Sequence, residues 1–178
     1  MIKDNWKNNK FYIRTLILHV GYGFLIYLIP ALAKVILLGI LATFTFIILD
    51  RKNKGNEALM AAAYIAGGEV FFRQTSAVIF YETGKYAVII FLLIGMFFKG
   101  ASSKTVPFWV YLLILFPGVV MVTFTMSYDF EFRKQVAFNL AGPVCLGVSA
   151  LYCYYKKIKK EDYQRVLIML LMPILAQM

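Results

Sequence analysis

Charged residues are scarce in this sequence of 178 residues, since only 16% are charged whereas 61% are hydrophobic. Soluble domains are usually about half apolar and about one quarter charged. The mean hydropathy of +0.72 departs from that composition in the same direction. The composition therefore excludes an ordinary soluble globular domain and favours an integral membrane protein.

Cysteine and histidine are also rare, with two cysteines and one histidine in the whole chain. Cys145 and Cys153 lie in one apolar run, where neither a disulfide framework nor a metal knuckle can be built. His19 precedes Val-Gly-Tyr-Gly, as in a potassium-channel filter, but too little chain precedes it for the outer and pore helices of a channel. We interpret His19 as a helix-packing residue. The sequence also lacks a phosphate loop, a nucleophile elbow and a metalloprotease helix, so it predicts no catalytic residues, no metal site and no cofactor.

What the sequence has in abundance is apolar runs of membrane-spanning length. A hydrocarbon core about 30 Å thick needs about 20 helical residues. Six runs approach that length, namely residues 11–29, 33–49, 58–72, 80–98, 107–126 and 136–155. A seventh run, residues 166–178, is too short to cross. The sequence therefore predicts an all-α fold: a single transmembrane domain, built as a polytopic helical bundle of about six spans plus an incomplete seventh.

The distribution of Lys and Arg orients this predicted bundle. With the amino terminus inside, 14 basic residues fall in inside segments and 5 in outside segments. This asymmetry explains the net charge of +10 through topology, so no nucleic-acid partner is predicted. The basic runs 50–55 and 156–162 are interpreted as cytoplasmic anchors in preference to sites for acidic lipid head groups, although such clusters permit both.

Four ionisable residues stand out at the predicted outer surface. Glu69 and Arg73 are four residues apart on one predicted helix and can pair, and Ala62 and Ala66 on the same face permit close approach of another helix. Glu82 and Lys85 repeat the pairing three residues apart, where the chain re-enters the membrane. Two interpretations stay open: a structural ion-pair network, or a binding site in which Arg73 or Lys85 holds a phosphate while Glu69 or Glu82 orients it.

A second polar segment, residues 127–143, is also predicted to lie outside. Its first part alternates aromatic and acidic residues and is interpreted as a loop that rests on the membrane surface. Arg133, Lys134 and Gln135 then lead to Asn139 and to the Gly142-Pro143 step. That step can bend the sixth span or open its backbone as part of a substrate site, and the sequence does not separate these alternatives.

Several short motifs resemble a known family. They are residues 57–73 (EALMAAAYIAGGEVFFR), 80–87 (FYETGKYA), 136–144 (VAFNLAGPV) and 152–155 (YCYY). Together they are similar to the amino-terminal part of O-antigen ligase and polymerase-like membrane proteins of Bacteroidetes type.

The resemblance implies a glycosyltransferase of polysaccharide and lipopolysaccharide biosynthesis in the bacterial inner membrane. Its partners would be membrane lipid and a glycan linked to undecaprenyl diphosphate, which it would transfer at the periplasmic face. The substrate-binding candidates are Arg73, Lys85, Glu69, Glu82, Arg133 and Asn139, and none of them is assigned a catalytic role. The family's large periplasmic loop would lie beyond residue 178, so the resemblance implies an amino-terminal fragment that is inactive alone.

Two further functions compete with this interpretation. One is a small structural or assembly subunit of the membrane without catalysis, whose last apolar segment packs against the helices of a partner membrane protein. The other is a small-solute transporter, which is disfavoured because the first three spans do not repeat in the next three.

Overall fold

The computed structural model describes residues 9–125, 130–154 and 156–175. Within these ranges the chain forms seven α-helices and a 3₁₀ turn at Ser103–Thr105, and the described residues contain no strand. The helices are α1 (Asn9–Leu28), α2 (Leu32–Arg51), α3 (Glu57–Gln74), α4 (Thr83–Lys99), α5 (Val106–Thr125), α6 (Phe130–Cys153) and α7 (Lys160–Leu175). The predicted all-α class is confirmed for this part of the chain.

Each predicted apolar run coincides with one helix, but several boundaries differ. Helix α6 begins at Phe130, so the predicted surface loop is helical from that residue onward, while residues 126–129 lie outside the described ranges. Residues 80–82 belong to a turn before α4, which begins at Thr83. Helix α7 begins at Lys160, before the apolar run 166–178, because Glu161 and Asp162 suit the positive end of a helix dipole.

The helices differ in how well they satisfy the length and composition of a membrane span. Among the described residues, two helical segments are long and apolar enough to cross a membrane, Leu32–Arg51 and Lys134–Cys153. Ile13–Leu28 is a shorter apolar helix. These helices support a membrane association, whereas the prediction of six spans is not confirmed by them.

Helix α3 is the centre of the bundle. It packs between α7 and α4, while α4 packs on α6 and α6 on α5. Helix α2 lies against α3 and α4, and α1 contacts α7 and α2. The last apolar segment of the described chain therefore packs along α3 of the same molecule.

Small residues on α3 allow this dense packing. A Cβ added to Gly67 would collide with the Leu170 carbonyl of α7, so the two backbones approach closely there. Ala62 is buried as predicted, but Ala66 is exposed, so the predicted small-residue face is displaced by one position to Gly67. His19 is buried beside the rings of Tyr22 and Tyr64, which agrees with a packing role.

The Gly142-Pro143 step lies inside α6, which the structure records as helix from Phe130 to Cys153. The alternative of an unwound backbone at this step is therefore wrong, and Pro143 is accommodated within the helix.

The bundle has two polar ends. We call the first the Asn53 end, which comprises the loop 52–56, the carboxyl ends of α4 and α6, and the start of α7. The second is the Glu82 end, which comprises the carboxyl end of α3, the connection 75–82, and the first turns of α4 and α6.

Asn53 holds the first of these ends together. It is fully buried and adopts a left-handed backbone with φ 53°, which Asn tolerates better than most residues. Its Nδ2 donates to the Gly95 carbonyl at 3.0 Å and to the Tyr152 hydroxyl at 2.9 Å, and its Oδ1 accepts from the Ala58 N–H at 3.0 Å. One side chain thus joins the loop to α3, α4 and α6.

Candidate ligand-binding site

The four ionisable residues singled out in the sequence form one network at the Glu82 end. Arg73 Nη2 lies 2.6 Å from Glu69 Oε1, and Lys85 Nζ lies 2.6 Å from Glu82 Oε2. Both predicted pairs are therefore formed. A longer contact of 3.8 Å between Arg73 Nη2 and Glu82 Oε2 joins them, and so connects α3 with α4.

The connection between α3 and α4 places Glu82 at this network. Ser76, two residues beyond the end of α3, has a left-handed backbone with φ 54°. The Thr83 hydroxyl then accepts from the Phe80 N–H at 2.7 Å and donates to the Phe80 carbonyl at 2.6 Å, which closes a tight turn over residues 80–83. Glu82 precedes the first residue of α4, where the helix dipole favours a negative charge.

The Glu82 carboxylate is almost completely removed from solvent, with 3% of the residue exposed. Its Oε2 is paired with Lys85, but its Oε1 has no hydrogen-bond partner among the described residues. A buried polar group without a partner costs about 1–3 kcal/mol, and more when it is charged. Most buried polar atoms in proteins are hydrogen-bonded, so such an exception needs a physical reason.

A cleft lies beside Glu82. It has a volume of about 890 Å³ and lies between the start of α4 and the first turns of α6. Its lining residues are Ile79, Phe80, Tyr81, Glu82, Tyr86, Lys134, Gln135, Ala137, Phe138 and Asn139. Clefts of about 300–1,000 Å³ with a few polar groups on apolar walls are typical of ligand sites.

Aromatic rings form one wall of the cleft. The rings of Tyr81 and Phe138 lie 5.8 Å apart between centroids, which links the turn before α4 to α6. The Arg73 guanidinium lies over the Tyr81 ring, 4.5 Å from its centroid. Arg73 therefore contacts both an aromatic ring of the cleft wall and the neighbouring carboxylates.

The structure divides the predicted site residues into two groups. Glu82 and Asn139 line the cleft, whereas Glu69, Arg73 and Lys85 form the ion-pair network beside it and do not line it. The side chain of Arg133 lies outside the described residues.

Sequence reasoning included Asn139 but missed Gln135 and the aromatic residues of the cleft. Gln135, Phe138 and Asn139 are spaced as one face of a helix. The predicted sixth span began at residue 136, so the place of Gln135 on this face follows only from the start of α6 at Phe130. Tyr81 has the sequence context of an interfacial anchor, and its role follows from Phe138 and Arg73 on other elements.

A resident metal is not indicated by the side chains present. Among the described residues, no group of three His, Cys, Asp or Glu side chains is placed to hold a metal ion. The polar groups at the cleft are instead one carboxylate, two amides, two phenols and one amine, which suit hydrogen bonding to an organic ligand.

No protein-family model, no curated protein and no solved structure matches this chain. The resemblance to O-antigen ligase and polymerase-like proteins therefore stays a prediction from its short motifs.

Proposed function

We propose that this chain is a multi-pass helical membrane protein that binds the saccharide head of a membrane-carried lipid in the cleft at the Glu82 end. The apolar composition and the helices of spanning length support the membrane placement. Large apolar side chains on the bundle surface support it as well, for example Phe24, Phe97 and Phe124, each more than half exposed. The distribution of basic residues then places the Asn53 end in the cytoplasm and the Glu82 end outside.

The single observation that carries the ligand assignment is the unpartnered Oε1 of buried Glu82 beside the cleft. A carboxylate oxygen accepts hydrogen bonds, so the matching ligand group is a donor. The four charges of Glu69, Arg73, Glu82 and Lys85 sum to zero, and Lys134 adds one positive charge on the cleft wall. A hydroxyl donor satisfies Glu82 without adding a further positive charge, so a neutral hydroxyl fits better than an ammonium group.

The remaining walls favour a sugar among hydroxyl-bearing ligands. A sugar ring has apolar faces and a polar edge. The rings of Tyr81 and Phe138 offer apolar contact surfaces, while the amides of Gln135 and Asn139 both donate and accept hydrogen bonds. The cleft thus combines the two kinds of surface that a saccharide needs.

The phosphate of the carrier lipid would then be contacted by Lys134 on the cleft wall, as an ammonium group is suited to a phosphate oxygen. Arg73 and Lys85 have a different role in this proposal, because they do not line the cleft. They pair with Glu69 and Glu82 and do not contact the phosphate.

The resemblance extends this proposal to a reaction class. It places the chain in the inner membrane as part of a glycan ligase or polymerase-type glycosyltransferase that uses glycans on undecaprenyl diphosphate. The cleft would supply the binding of the glycan, and no group of this chain is assigned to the transfer step.

The experiment is a pair of binding titrations on the protein in lipid nanodiscs, one with a glycan linked to undecaprenyl diphosphate and one with undecaprenyl phosphate. We expect the glycan-bearing lipid to bind at least tenfold more tightly. Glu82→Gln removes the charge on the acceptor and is expected to abolish this preference, because a tenfold change equals about 1.4 kcal/mol and a hydrogen bond to a charged group contributes about 1.5–3 kcal/mol.

Two further variants complete the design. Asn139→Ala alters an exposed residue of the cleft and is expected to weaken glycan binding without affecting folding. Glu161→Gln removes an exposed carboxylate at the Asn53 end and serves as the matched control. Equal affinity of the wild type for both lipids, or an unchanged preference in Glu82→Gln, would contradict the proposal.

A further inference from the structure

The Asn53 end carries a lysine whose ammonium group is poorly satisfied. Lys156 follows α6, in the connection to α7, and its Nζ lies 3.4 Å from the centroid of the Tyr152 ring. This nitrogen is shielded from solvent and has no hydrogen-bond acceptor among the described residues. An ammonium group has three N–H donors, so the ring face alone leaves these donors without acceptors.

A second ammonium group lies nearby on α4. Lys99 Nζ donates to the Lys54 carbonyl and to Asn56 Oδ1, both at 3.0 Å, so one of its three donors is unused by these bonds. Burial and the positive charge of Lys99 lower the pKa of Lys156 to about 8, and Cys153 acts weakly in the opposite direction. Burial thus disfavours the ammonium form of Lys156 most, and repulsion from Lys99 adds a smaller effect in the same direction.

Of the carboxylates at this end, those of Glu57 and Asp162 are occupied elsewhere, and those of Asp50 and Glu161 are exposed. Glu57 accepts from the Gly55 N–H at 2.9 Å and lies 3.9 Å from Arg51. Asp162 accepts from Asn56 Nδ2 at 3.2 Å and lies 3.3 Å from Arg165. Within the described part of the chain, the groups shown to act on Lys156 are Tyr152 and Cys153 on α6 and Lys99 on α4, and none of these is a carboxylate.

We propose that Lys156 and Lys99 form a binding site for a phosphate group at the junction of α4, α6 and α7. Phosphate oxygens would accept the unused N–H donors of both lysines and would screen their mutual repulsion. The exposed residues Lys157, Lys159 and Lys160 surround the junction with further positive charge. Basic pockets between helices on the cytoplasmic side of a membrane bind phosphate-bearing head groups, and free phosphate has the same chemistry.

This site lies at the opposite end of the bundle from the cleft, and it does not depend on the proposed binding of a saccharide. Its pH dependence has a definite sign. Phosphate favours the protonated form of Lys156, so the affinity for phosphate falls as the pH rises through about 8.

The test uses the full chain in a phosphate-free detergent and follows the titration of Lys156 by NMR of its side-chain nitrogen. One arm adds inorganic phosphate, and the other adds a short-chain phosphatidic acid. A rise of the Lys156 pKa above 8 in both arms supports a site open to free phosphate, and a rise in the lipid arm alone supports a head-group site. No rise in either arm overturns the proposal.

Variants separate this site from general surface charge. Lys156→Met keeps the unbranched side chain on the Tyr152 ring and is expected to weaken binding of the effective probe at least tenfold. Lys157→Gln removes one positive charge from the exposed neighbouring residue, as Lys156→Met does from the proposed site. It is expected to weaken binding of the probe less than twofold. Equal losses in the two variants would show that only the overall positive charge matters, which overturns the proposal.

Discussion

The two polar ends of the bundle bury a polar side chain in opposite ways. At the Asn53 end, Nδ2 of the buried amide donates two hydrogen bonds and Oδ1 accepts one, which joins four segments. At the Glu82 end, the buried carboxylate has one oxygen in an ion pair and the other without a partner, next to a cleft of about 890 Å³. The comparison teaches that the two buried side chains differ in hydrogen-bond satisfaction, which is complete for Asn53 and incomplete for Glu82.

The difference follows from what each side chain can do with its surroundings. Asn53 is neutral and carries donors and an acceptor, so backbone groups and one hydroxyl saturate it. Glu82 only accepts, and its neighbours Arg73 and Lys85 approach from the side of Oε2. Changes at the first end should therefore alter stability, and changes at the second should alter binding.

The largest effects on stability are expected for substitutions of Asn53, and the first of these is Asn53→Gly. Glycine permits the left-handed backbone, so this variant removes only the side-chain hydrogen bonds, and it leaves the partners on α3, α4 and α6 buried. Unsatisfied buried groups cost about 1–3 kcal/mol each, so we expect a loss of about 3 kcal/mol in the free energy of unfolding. Denaturation in detergent micelles measures it.

Asn53→Ala sharpens this prediction, since alanine removes the same bonds and is also strained at φ 53°. It should lose about 1 kcal/mol more than Asn53→Gly. If both variants unfold like the wild type, Asn53 does not hold this end together.

The next effect is expected for Gly67→Ala, in the contact between α3 and α7. The added Cβ meets the Leu170 carbonyl, so the helices must separate. Overpacking of this kind costs about 1–3 kcal/mol. The matched control is Gly142→Ala on α6, where an added Cβ meets nothing within 4 Å and stability should be unchanged or slightly higher. Equal stability of the two variants would mean that α3 and α7 do not approach closely.

A smaller effect on stability is expected for Glu82→Gln. The amide keeps the volume of the side chain and removes a buried charge, but it weakens the contacts to Lys85 and Arg73. Because these changes oppose each other, and because the side chains of Arg73 and Lys85 are about 30% exposed to water, we expect a shift below about 1 kcal/mol. The same denaturation experiment measures it, and a loss as large as that of Asn53→Gly would remove the distinction between the two ends.

A different kind of effect, a pH dependence of stability, is expected from Lys156. Its pKa is about 8 in the folded protein and 10.5 in the unfolded chain, so the unfolded chain binds more protons between these values. The contribution of this residue to stability therefore rises from about pH 8 to 10.5. We would measure the unfolding free energies of wild type and Lys156→Met across this pH range. Their difference isolates the contribution of Lys156. A contribution that stays constant or falls would contradict the lowered pKa.

Much of the fold could be predicted from the sequence because long apolar runs and helical spacing are local signals. The pairs Glu69–Arg73 and Glu82–Lys85 are predictable for the same reason, since their partners are three or four residues apart. The start of α6 was placed wrongly, because Phe130 to Gln135 combine charged and aromatic residues that equally suit a surface loop.

The cleft and the Asn53 network could not be predicted, because both join residues that are far apart in the chain. Asn53 and Tyr152 are 99 positions apart, and Tyr81 and Phe138 belong to different elements. In the sequence, Asn53 lies in a basic loop of the kind that anchors a membrane protein. Its burial follows only from the close approach of Gly95, where an added Cβ would collide with Asn53 and Tyr152.

The most direct test of the contrast between the two ends is the rise in thermal unfolding midpoint that the glycan-bearing lipid produces in wild type, Glu82→Gln and Asn53→Gly. The account predicts that Glu82→Gln unfolds near the wild-type midpoint but loses the rise on adding lipid. Asn53→Gly should unfold at a lower temperature and keep the rise. A wild-type protein that shows no rise, or a Glu82→Gln variant that keeps it in full, would contradict the account.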